Sequence, residues 1–341
     1  MSSIQNLLLI IVISLVLYLF NILSFIFIPL AFGLFGALLF SPLMRWFTSK
    51  RLPRLFGLIF IVLVISVIAR GAYEVVYLAT EELESVDAGF IDNATHRMNE
   101  ITDKALDILG IEMNEAQEQI TAFFKSDKVR SFLLGNVNNG LSFAINFISI
   151  LLMSLFFMVL FLFGSIDVEK VLESLIFKEM NTSKEAYRKL EKNILVFVLV
   201  KLIISAITGF AYSVVAYSFG VSFPIFWGVL AFLLNFIQVV GPILSVVLLS
   251  LFATIEMGFT GGLIFFTLLL IAIQTIGGGI LEPILMGKSL SMNTISILVM
   301  LSIWGFVWGI PGMILSIPIT VVLKVILERF PSTKTFSDLI L

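Results

Sequence analysis

The sequence predicts an all-α, polytopic membrane protein, and its composition and hydrophobic pattern carry that prediction. Of its 341 residues, 59% are hydrophobic and 13% are charged, whereas an ordinary soluble domain is about 45–50% apolar. The mean hydropathy is +1.11. Apolar runs recur along the chain, and a helix needs about 20 such residues to cross the hydrocarbon core. The chain is therefore expected to cross a membrane several times.

Residues 1–79 are expected to form the first three transmembrane helices, from apolar runs at 7–23, 25–43 and 55–77. Lysine and arginine favour the cytoplasmic side of a membrane, whereas acidic residues carry little topological weight. The loop after the second run carries only basic charges, namely Arg45, Lys50, Arg51 and Arg54. This loop and the N-terminus are therefore expected in the cytoplasm.

The middle of the chain alternates between polar and apolar stretches. Residues 80–135 are rich in acidic residues with apolar positions at helical spacing, which predicts an amphipathic helical region outside the membrane. The apolar stretch 136–163 predicts a fourth transmembrane helix, and the charged stretch 164–192 predicts a cytoplasmic helical connector.

Residues 193–330 are expected to form a transport core, followed by a cytoplasmic tail at 331–341. The core contains two apolar runs, 224–254 and 294–327, that are interrupted by helix-breaking residues. Counted with the uninterrupted helices, these runs bring the total to about eight membrane segments. The breaking residues are Gly241-Pro242 in the first run and Gly309-Ile310-Pro311-Gly312 in the second.

Each broken run should fold as two helices that are too short to span comfortably alone. It is either one kinked crossing or a re-entrant hairpin that returns to the side it entered. The hairpin arrangement places Lys288 in the cytoplasm, which the distribution of basic residues favours, while the kinked arrangement places it outside. Paired breaks of this kind indicate the substrate site of a transporter; ordinary proline kinks are the alternative.

Uncharged polar residues beside the breaks are the candidate solute-binding groups. Asn235 and Gln238 share one face before the first break, and Gln274 precedes three glycines that permit close backbone approach or local unwinding. Hydrogen bonding between helices is the alternative role. The predicted binding set is Asn235, Gln238, Gly241, Pro242, Gln274, Gly277, Gly278, Gly279, Glu282, Pro311 and Gly312.

Three ionisable residues of the core are candidates for gating or coupling. Lys201 either extends to the inner interface or faces a cavity. Glu282 and Lys288 flank the entrance of the second broken run, where helix termination and interfacial anchoring are the alternative roles. No carboxylate is expected near the middle of the membrane, which argues against proton exchange.

Several classes of function lack their residues in this sequence. There is no cysteine and one histidine, His96, so neither a Ser-His-Asp set nor a cysteine nucleophile is indicated, and no phosphate-binding loop is present. A lone histidine without clustered partners is more often solvated than bound to a metal. We expect no catalytic residue, metal, cofactor or nucleic-acid partner.

Three stretches of the core resemble hallmarks of the autoinducer-2 exporter (AI-2E) family. They are 227–237 with Gly241-Pro242, 281–289, and 309–318. The sequence departs from the family pattern at Gln238, where proline is common, and at Gly277 and Gly279, which replace glutamate and asparagine. The resemblance implies an eight-segment protein of the bacterial cytoplasmic membrane that is commonly homo-oligomeric and exports small molecules such as autoinducer-2.

The function expected from residues and resemblance together is export of a small polar signalling molecule or metabolite by alternating access. Membrane lipid is an implied partner, and H⁺ or Na⁺ is a candidate coupling ion. Some members of the resembled family are assigned Na⁺(Li⁺)/H⁺ antiport, which is the first alternative. The second is a scaffold that does not transport and whose outer region 80–135 recruits a partner.

Overall fold

A computed structural model describes residues 3–84, 96, 149–163, 180–286 and 293–329, and every regular element in these ranges is helical. By length and composition alone, six helical stretches among the described residues could cross a membrane, which confirms the all-α, multi-pass membrane class. The elements are α1 (Ser3–Ile22), α2 (Ser24–Ser49), α3 (Arg54–Glu84), α4 (Ser149–Phe163), α5 (Met180–Ser218), α6 (Pro224–Leu234), α7 (Val240–Met257), α8 (Gly261–Gln274), a π-helical segment (Thr275–Leu281), α9 (Glu282–Met286) and α10 (Thr294–Arg329). The sixth of the stretches that could cross lies within α10, which reverses direction.

Some predictions fall outside the described residues. These are the cytoplasmic tail, Lys288, most of the acidic region 80–135 and much of the connector 164–192.

Helix α5 packs against most of the other helices of the core. Its C-terminal half, with Tyr212 and Ala216, packs in one apolar cluster with α6, α7 and α8. Its N-terminal half, with Ile194 and Phe197, packs against α10. The two broken runs therefore pack on different halves of the same long helix.

The first broken run reverses direction between α6 and α7. The rings of Trp227 and Phe252 pack 5.0 Å apart, and the backbone N–H of Ser222 donates to Glu256 Oε2 over 2.8 Å. Because the start of α6 meets the end of α7, the two helices run antiparallel. We call residues 224–257 the first hairpin.

The position of the first break differs from the prediction. The helix ends at Leu234 and resumes at Val240, and Val239 between them has a positive φ of 65°. Gly241 and Pro242 lie in the first turn of α7, where a proline costs no intrahelical hydrogen bond because the first N–H groups of a helix have no partner. The proline therefore begins the returning helix rather than interrupting the run.

The second broken run also reverses direction, and its single non-helical residue is Gly309, with φ 63° and ψ −140°. A β-carbon at Gly305 would lie 2.9 Å from Met313 Cε. Ile297 on the first arm joins the cluster that holds Val321 on the second. We call residues 294–329 the second hairpin, with arms 294–308 and 310–329.

One glycine closes each hairpin. A β-carbon at Gly241 would overlap the carbonyl oxygen of Leu234, and one at Gly312 would overlap that of Trp304. These glycines were predicted as helix breakers, yet both have helical backbone angles and act by removing a side chain from the contact between the arms.

Candidate functional site

A stripe of polar side chains runs along the buried face of α5. Lys201, Ser205, Thr208 and Tyr212 follow one another at intervals of four, three and four residues, which places them on one face of a helix. None is more than 2% exposed. Because buried polar groups are costly unless they find partners, this stripe marks the interior surface on which a site is built.

Lys201 lies at the N-terminal end of the stripe in a buried ion pair. Its Nζ is 2.8 Å from Glu282 Oε2, and the two side chains are 2% and 6% exposed. The same ammonium donates to the backbone carbonyl of Asn235 over 3.3 Å. One cation therefore joins α5, the tip of the first hairpin and α9.

The tip of the first hairpin supplies two amide side chains to this layer. Gln238 Nε2 donates to Glu282 Oε1 over 3.0 Å, and Asn235 Nδ2 donates to Ser205 Oγ over 3.1 Å. The non-helical stretch between α6 and α7 brings both residues inward, since neither is held in a regular helix. We call Lys201, Ser205, Asn235, Gln238 and Glu282 the charged layer.

A second, uncharged layer lies farther along α5. Gln274 Nε2 donates to Ser245 Oγ over 2.9 Å, and the Tyr212 hydroxyl is 3.3 Å from the same oxygen. Ser245 also donates to the carbonyl of Pro242 over 2.8 Å. At 1.5 Å per residue, Tyr212 lies about 16 Å from Lys201 along the helix axis. We call Tyr212, Ser245 and Gln274 the neutral layer.

Both layers contain hydrogen-bond acceptors with no partner among the described residues. They are the side-chain oxygens Asn235 Oδ1, Gln238 Oε1 and Gln274 Oε1. Most buried polar atoms in proteins are paired, so an unpaired one calls for an explanation such as a bound water, ion or ligand. Three amide oxygens without donors favour a guest that carries hydroxyl or N–H groups.

The three glycines predicted to bind solute, at positions 277–279, do not share one role. A β-carbon at Gly277 would lie 3.1 Å from Thr208 Oγ1 and 3.5 Å from Ile204 Cγ2, so this glycine permits close approach of the π-helical segment to α5. Gly278 has no neighbouring atom within 4 Å, and Gly279 meets only Thr275 of its own segment. Gly278 and Gly279 therefore do not contribute to either layer.

The structure brings together most, but not all, of the predicted site residues. Lys201 faces the interior rather than the membrane interface, and Glu282, predicted at the entrance of the second broken run, is 4% exposed within the charged layer. Pro311 and Gly312 belong to the second hairpin, where Gly312 contacts Trp304 and Trp308.

Four residues of the site were missed by the sequence analysis, namely Ser205, Thr208, Tyr212 and Ser245. The signal for the three α5 residues is present in the sequence. Their hydroxyl-bearing side chains follow Lys201 at helical spacing within an apolar run. Ser245 follows Gly241-Pro242 by one turn and carries no comparable pattern.

A family model and several relatives match this chain. The family model described as AI-2E family transporter matches residues 7–332. The Escherichia coli K12 protein YhhT is 28% identical over 305 residues, covering 89% of this chain and 84% of YhhT. The E. coli K12 protein named AI-2 transport protein TqsA is 26% identical over 309 residues, covering 89% of this chain and 86% of TqsA.

A shorter match is more similar. A Borreliella burgdorferi protein is 34% identical over 139 residues, which covers 40% of this chain and 38% of that protein. Since the family model spans almost the whole sequence, from the first described helix to the end of the second hairpin, this chain belongs to the AI-2E family of transporters.

Proposed function

We propose that this protein exports a small, polar, largely uncharged molecule across the bacterial cytoplasmic membrane by alternating access. A molecule of the autoinducer-2 type is the first candidate, since the name of TqsA refers to AI-2 transport. The observation that carries the proposal is the set of three unpaired amide oxygens in the charged and neutral layers. A solute with several hydroxyl groups would supply the missing donors.

The short length of α6 supports a re-entrant arrangement of the first hairpin. Helix α6 has 11 residues, which corresponds to about 16 Å, whereas the hydrocarbon core is about 30 Å thick. Irregular backbone within a membrane persists only where protein covers it or where it lines a cavity. The non-helical tip at Asn235 is 1% exposed and ends beside Lys201, as expected for a substrate site formed by a discontinuous helix.

The proposed path follows the α5 stripe. A solute leaving the charged layer at Ser205 meets Thr208 and then the neutral layer on its way to the outer end of α5. All four stripe residues are buried in the described structure, so the path is closed along this face. Alternating access would open one end at a time by moving a hairpin relative to α5.

Efflux measured in inverted membrane vesicles tests this function. Vesicles with the wild-type chain should accumulate autoinducer-2 or another small polyhydroxylated solute. Asn235→Ala should lower the rate at least about tenfold, because it removes one unpaired acceptor and the bond to Ser205. Ser245→Ala should lower it less, since the neutral layer keeps Tyr212 and Gln274.

A matched serine provides the control. The Ser302 hydroxyl, like that of Ser245, donates to a carbonyl of its own helix, but Ser302 is exposed and distant from both layers in the sequence. Ser302→Ala should transport at the wild-type rate. Equal rates for Asn235→Ala, Ser245→Ala and Ser302→Ala would contradict the proposed path.

Cation/proton antiport is the second candidate, and the position of Glu282 favours it. The sequence analysis placed no carboxylate near the middle of the membrane, yet Glu282 is buried beside an ammonium group. Buried ionisable residues in membrane segments mark ion and proton pathways. A Na⁺ or Li⁺ gradient across proteoliposomes should then produce an internal pH change that is lost in Glu282→Gln.

The matched control for antiport is Glu256→Gln. Glu256 accepts a backbone hydrogen bond from Ser222 at the end of the first hairpin, outside the two layers. A pH change that survives Glu282→Gln, or that disappears equally in both variants, would exclude Glu282 as the exchanging group.

We also propose a multi-pass arrangement with both termini in the cytoplasm and a homo-oligomeric assembly. The basic residues between Arg45 and Arg54 support the orientation. The chain has no cysteine, so a single cysteine at Lys50 can be labelled from one side of the membrane. The mass of the detergent-solubilised protein tests the assembly. The scaffold alternative depends on region 80–135, most of which lies outside the described residues.

A further inference from the structure

Glu282 follows directly on an unusual stretch of helix. Thr275–Leu281 is π-helical, and the N–H of Glu282 donates to the carbonyl of Gly277, five residues earlier rather than four. Such wide turns occur mostly as short insertions in α-helices and often at functional sites. The carboxylate of the charged layer is therefore presented by the least regular part of the α8–α9 helix.

Packing does not explain why two of the residues in this stretch are glycine. Among the described residues, no atom lies within 4 Å of an added β-carbon at Gly278, and only Thr275 Cγ2, at 3.8 Å, does so at Gly279. Neither has a positive φ. Each glycine costs about 1 kcal/mol of helix stability relative to alanine. What glycine provides at these positions is backbone freedom rather than space.

A wide turn holds one more residue than an α-helical turn. If the turn closes to the α-helical pattern, each residue after it shifts by one position, or about 100° around the helix axis. With α8 fixed against α5, Leu281 would then occupy the direction that Glu282 has now. Glu282 would rotate to the side, away from Lys201 and Gln238.

We infer that the π-helical segment is a register switch that places either Glu282 or Leu281 against the charged layer. In the present register Glu282 binds Lys201 and Gln238 and so holds the tip of the first hairpin on α5. In the other register these two residues lose their common acceptor, and the tip is released.

The switch couples to the solute through Lys201. A buried ammonium without its carboxylate is strongly unfavourable, so the Leu281 register is a minor state of the empty protein and becomes the populated one when a bound guest accepts from Lys201 in place of Glu282. This coupling rests on the proposed transport function, whereas the register change itself does not.

Deleting Gly279 tests the switch, and Gly279→Ala is its matched control. Both variants remove the same exposed glycine, but only the deletion removes the extra residue, and in Gly279→Ala the neighbouring Gly278 still provides backbone freedom. The deletion should close the turn permanently while leaving Glu282 against Lys201. Transport should fall at least about tenfold in the deletion and stay within about twofold of wild type in Gly279→Ala.

Two cysteine pairs report the register without any solute, because the chain has no cysteine of its own. The pair Gln238→Cys with Glu282→Cys should cross-link under oxidation in the full chain, in Gly279→Ala and in the deletion, which also shows that the deletion folds. The pair Gln238→Cys with Leu281→Cys should cross-link in the first two and at least about tenfold more slowly in the deletion.

Two results would overturn the inference. One is a Leu281 pair that does not cross-link in the full chain although the Glu282 pair does. The other is a deletion that transports as fast as Gly279→Ala. If the deletion is not recovered, the two pairs in the full chain decide alone. Failure of the proposed function would instead show as a wild-type chain that moves no solute while both cross-linking rates stay measurable.

Discussion

The two hairpins share a backbone design and differ in what they carry. In each, a glycine in the first turn of the returning arm, Gly241 or Gly312, packs against a carbonyl of the other arm. The first hairpin presents Asn235 and Gln238 at its tip to an ion pair. The second presents aromatic rings, and near its tip those of Trp304 and Trp308 pack at a tilt of 45° with their centroids 5.1 Å apart.

The tips are also attached differently. Trp308 Nε1 donates to the carbonyl of Phe20 over 2.9 Å, and Asn21 Nδ2 donates to the carbonyl of Val307 over 2.7 Å. These neutral bonds fasten the second tip to the end of α1. The first tip is held mainly by charge-assisted bonds. The two hairpins reverse direction in the same way, so the proposed function rests on the side chains at the first tip rather than on the reversal itself.

Breaking the ion pair should have the largest effect. Lys201→Met leaves the Glu282 carboxylate buried without its cation, which should destabilise the protein by about 3–5 kcal/mol. Thermal unfolding in detergent measures this loss. The double variant Lys201→Met with Glu282→Met should recover much of the stability but not the transport. A single variant as stable as wild type would show that the first hairpin does not depend on charge.

Filling the glycine contact should damage both hairpins to a similar, smaller extent. Gly241→Ala and Gly312→Ala each place a methyl group onto a carbonyl oxygen, and overpacking of this kind costs about 1–3 kcal/mol. The control is Gly71→Ala, because no atom lies within 4 Å of a β-carbon there. Recovery of folded protein and its unfolding temperature give the result. Loss in only one hairpin would disprove the shared design.

Weakening the attachment of the second tip should affect stability more than transport. Trp308→Phe keeps the aromatic packing and removes the bond to Phe20, at a cost of about 1 kcal/mol. Solute efflux should stay near the wild-type rate, since both layers belong to α5, the first hairpin and the α8–α9 helix. A large loss of efflux without loss of stability would assign the second tip a direct role in transport.

The smallest effect is expected at the exposed pair Arg70–Glu74 on α3, which contacts neither hairpin tip. The two side chains are 72% and 46% exposed, and exposed pairs four residues apart in a helix contribute about 0.3–0.5 kcal/mol. Arg70→Ala should unfold within about 1–2 °C of wild type and transport normally. This variant sets the baseline against which the hairpin variants are compared.

The sequence predicted the membrane class, the two interrupted runs and most of the charged layer, because hydrophobicity and helix-breaking residues act locally. The first break was predicted at Gly241-Pro242, a few residues after its position in the structure, because a Gly-Pro pair is compatible with the start of a helix as well as with an interruption. The partners of Lys201 could not be predicted, because Glu282 lies 81 positions away in the chain. Such a contact depends on how the helices pack rather than on any nearby residue.

Which of the three consecutive glycines contacts α5 could not be predicted from the sequence either. Gly277, Gly278 and Gly279 are chemically identical, and only the direction that each faces distinguishes them. Gly277 contacts α5, whereas Gly278 and Gly279 face away from α5. The direction that each glycine faces depends on the π-helical register.

The base of the first hairpin, where α6 begins, is fixed by a residue far from the site. Both carboxylate oxygens of Glu82, near the end of α3, accept backbone N–H groups at the start of α6, from Ile225 over 3.2 Å and from Phe226 over 2.9 Å. Because these bonds hold the start of α6, the opposite end of the hairpin is the end that can move. Any motion of this hairpin is consequently largest at Asn235, and α3 sets its pivot.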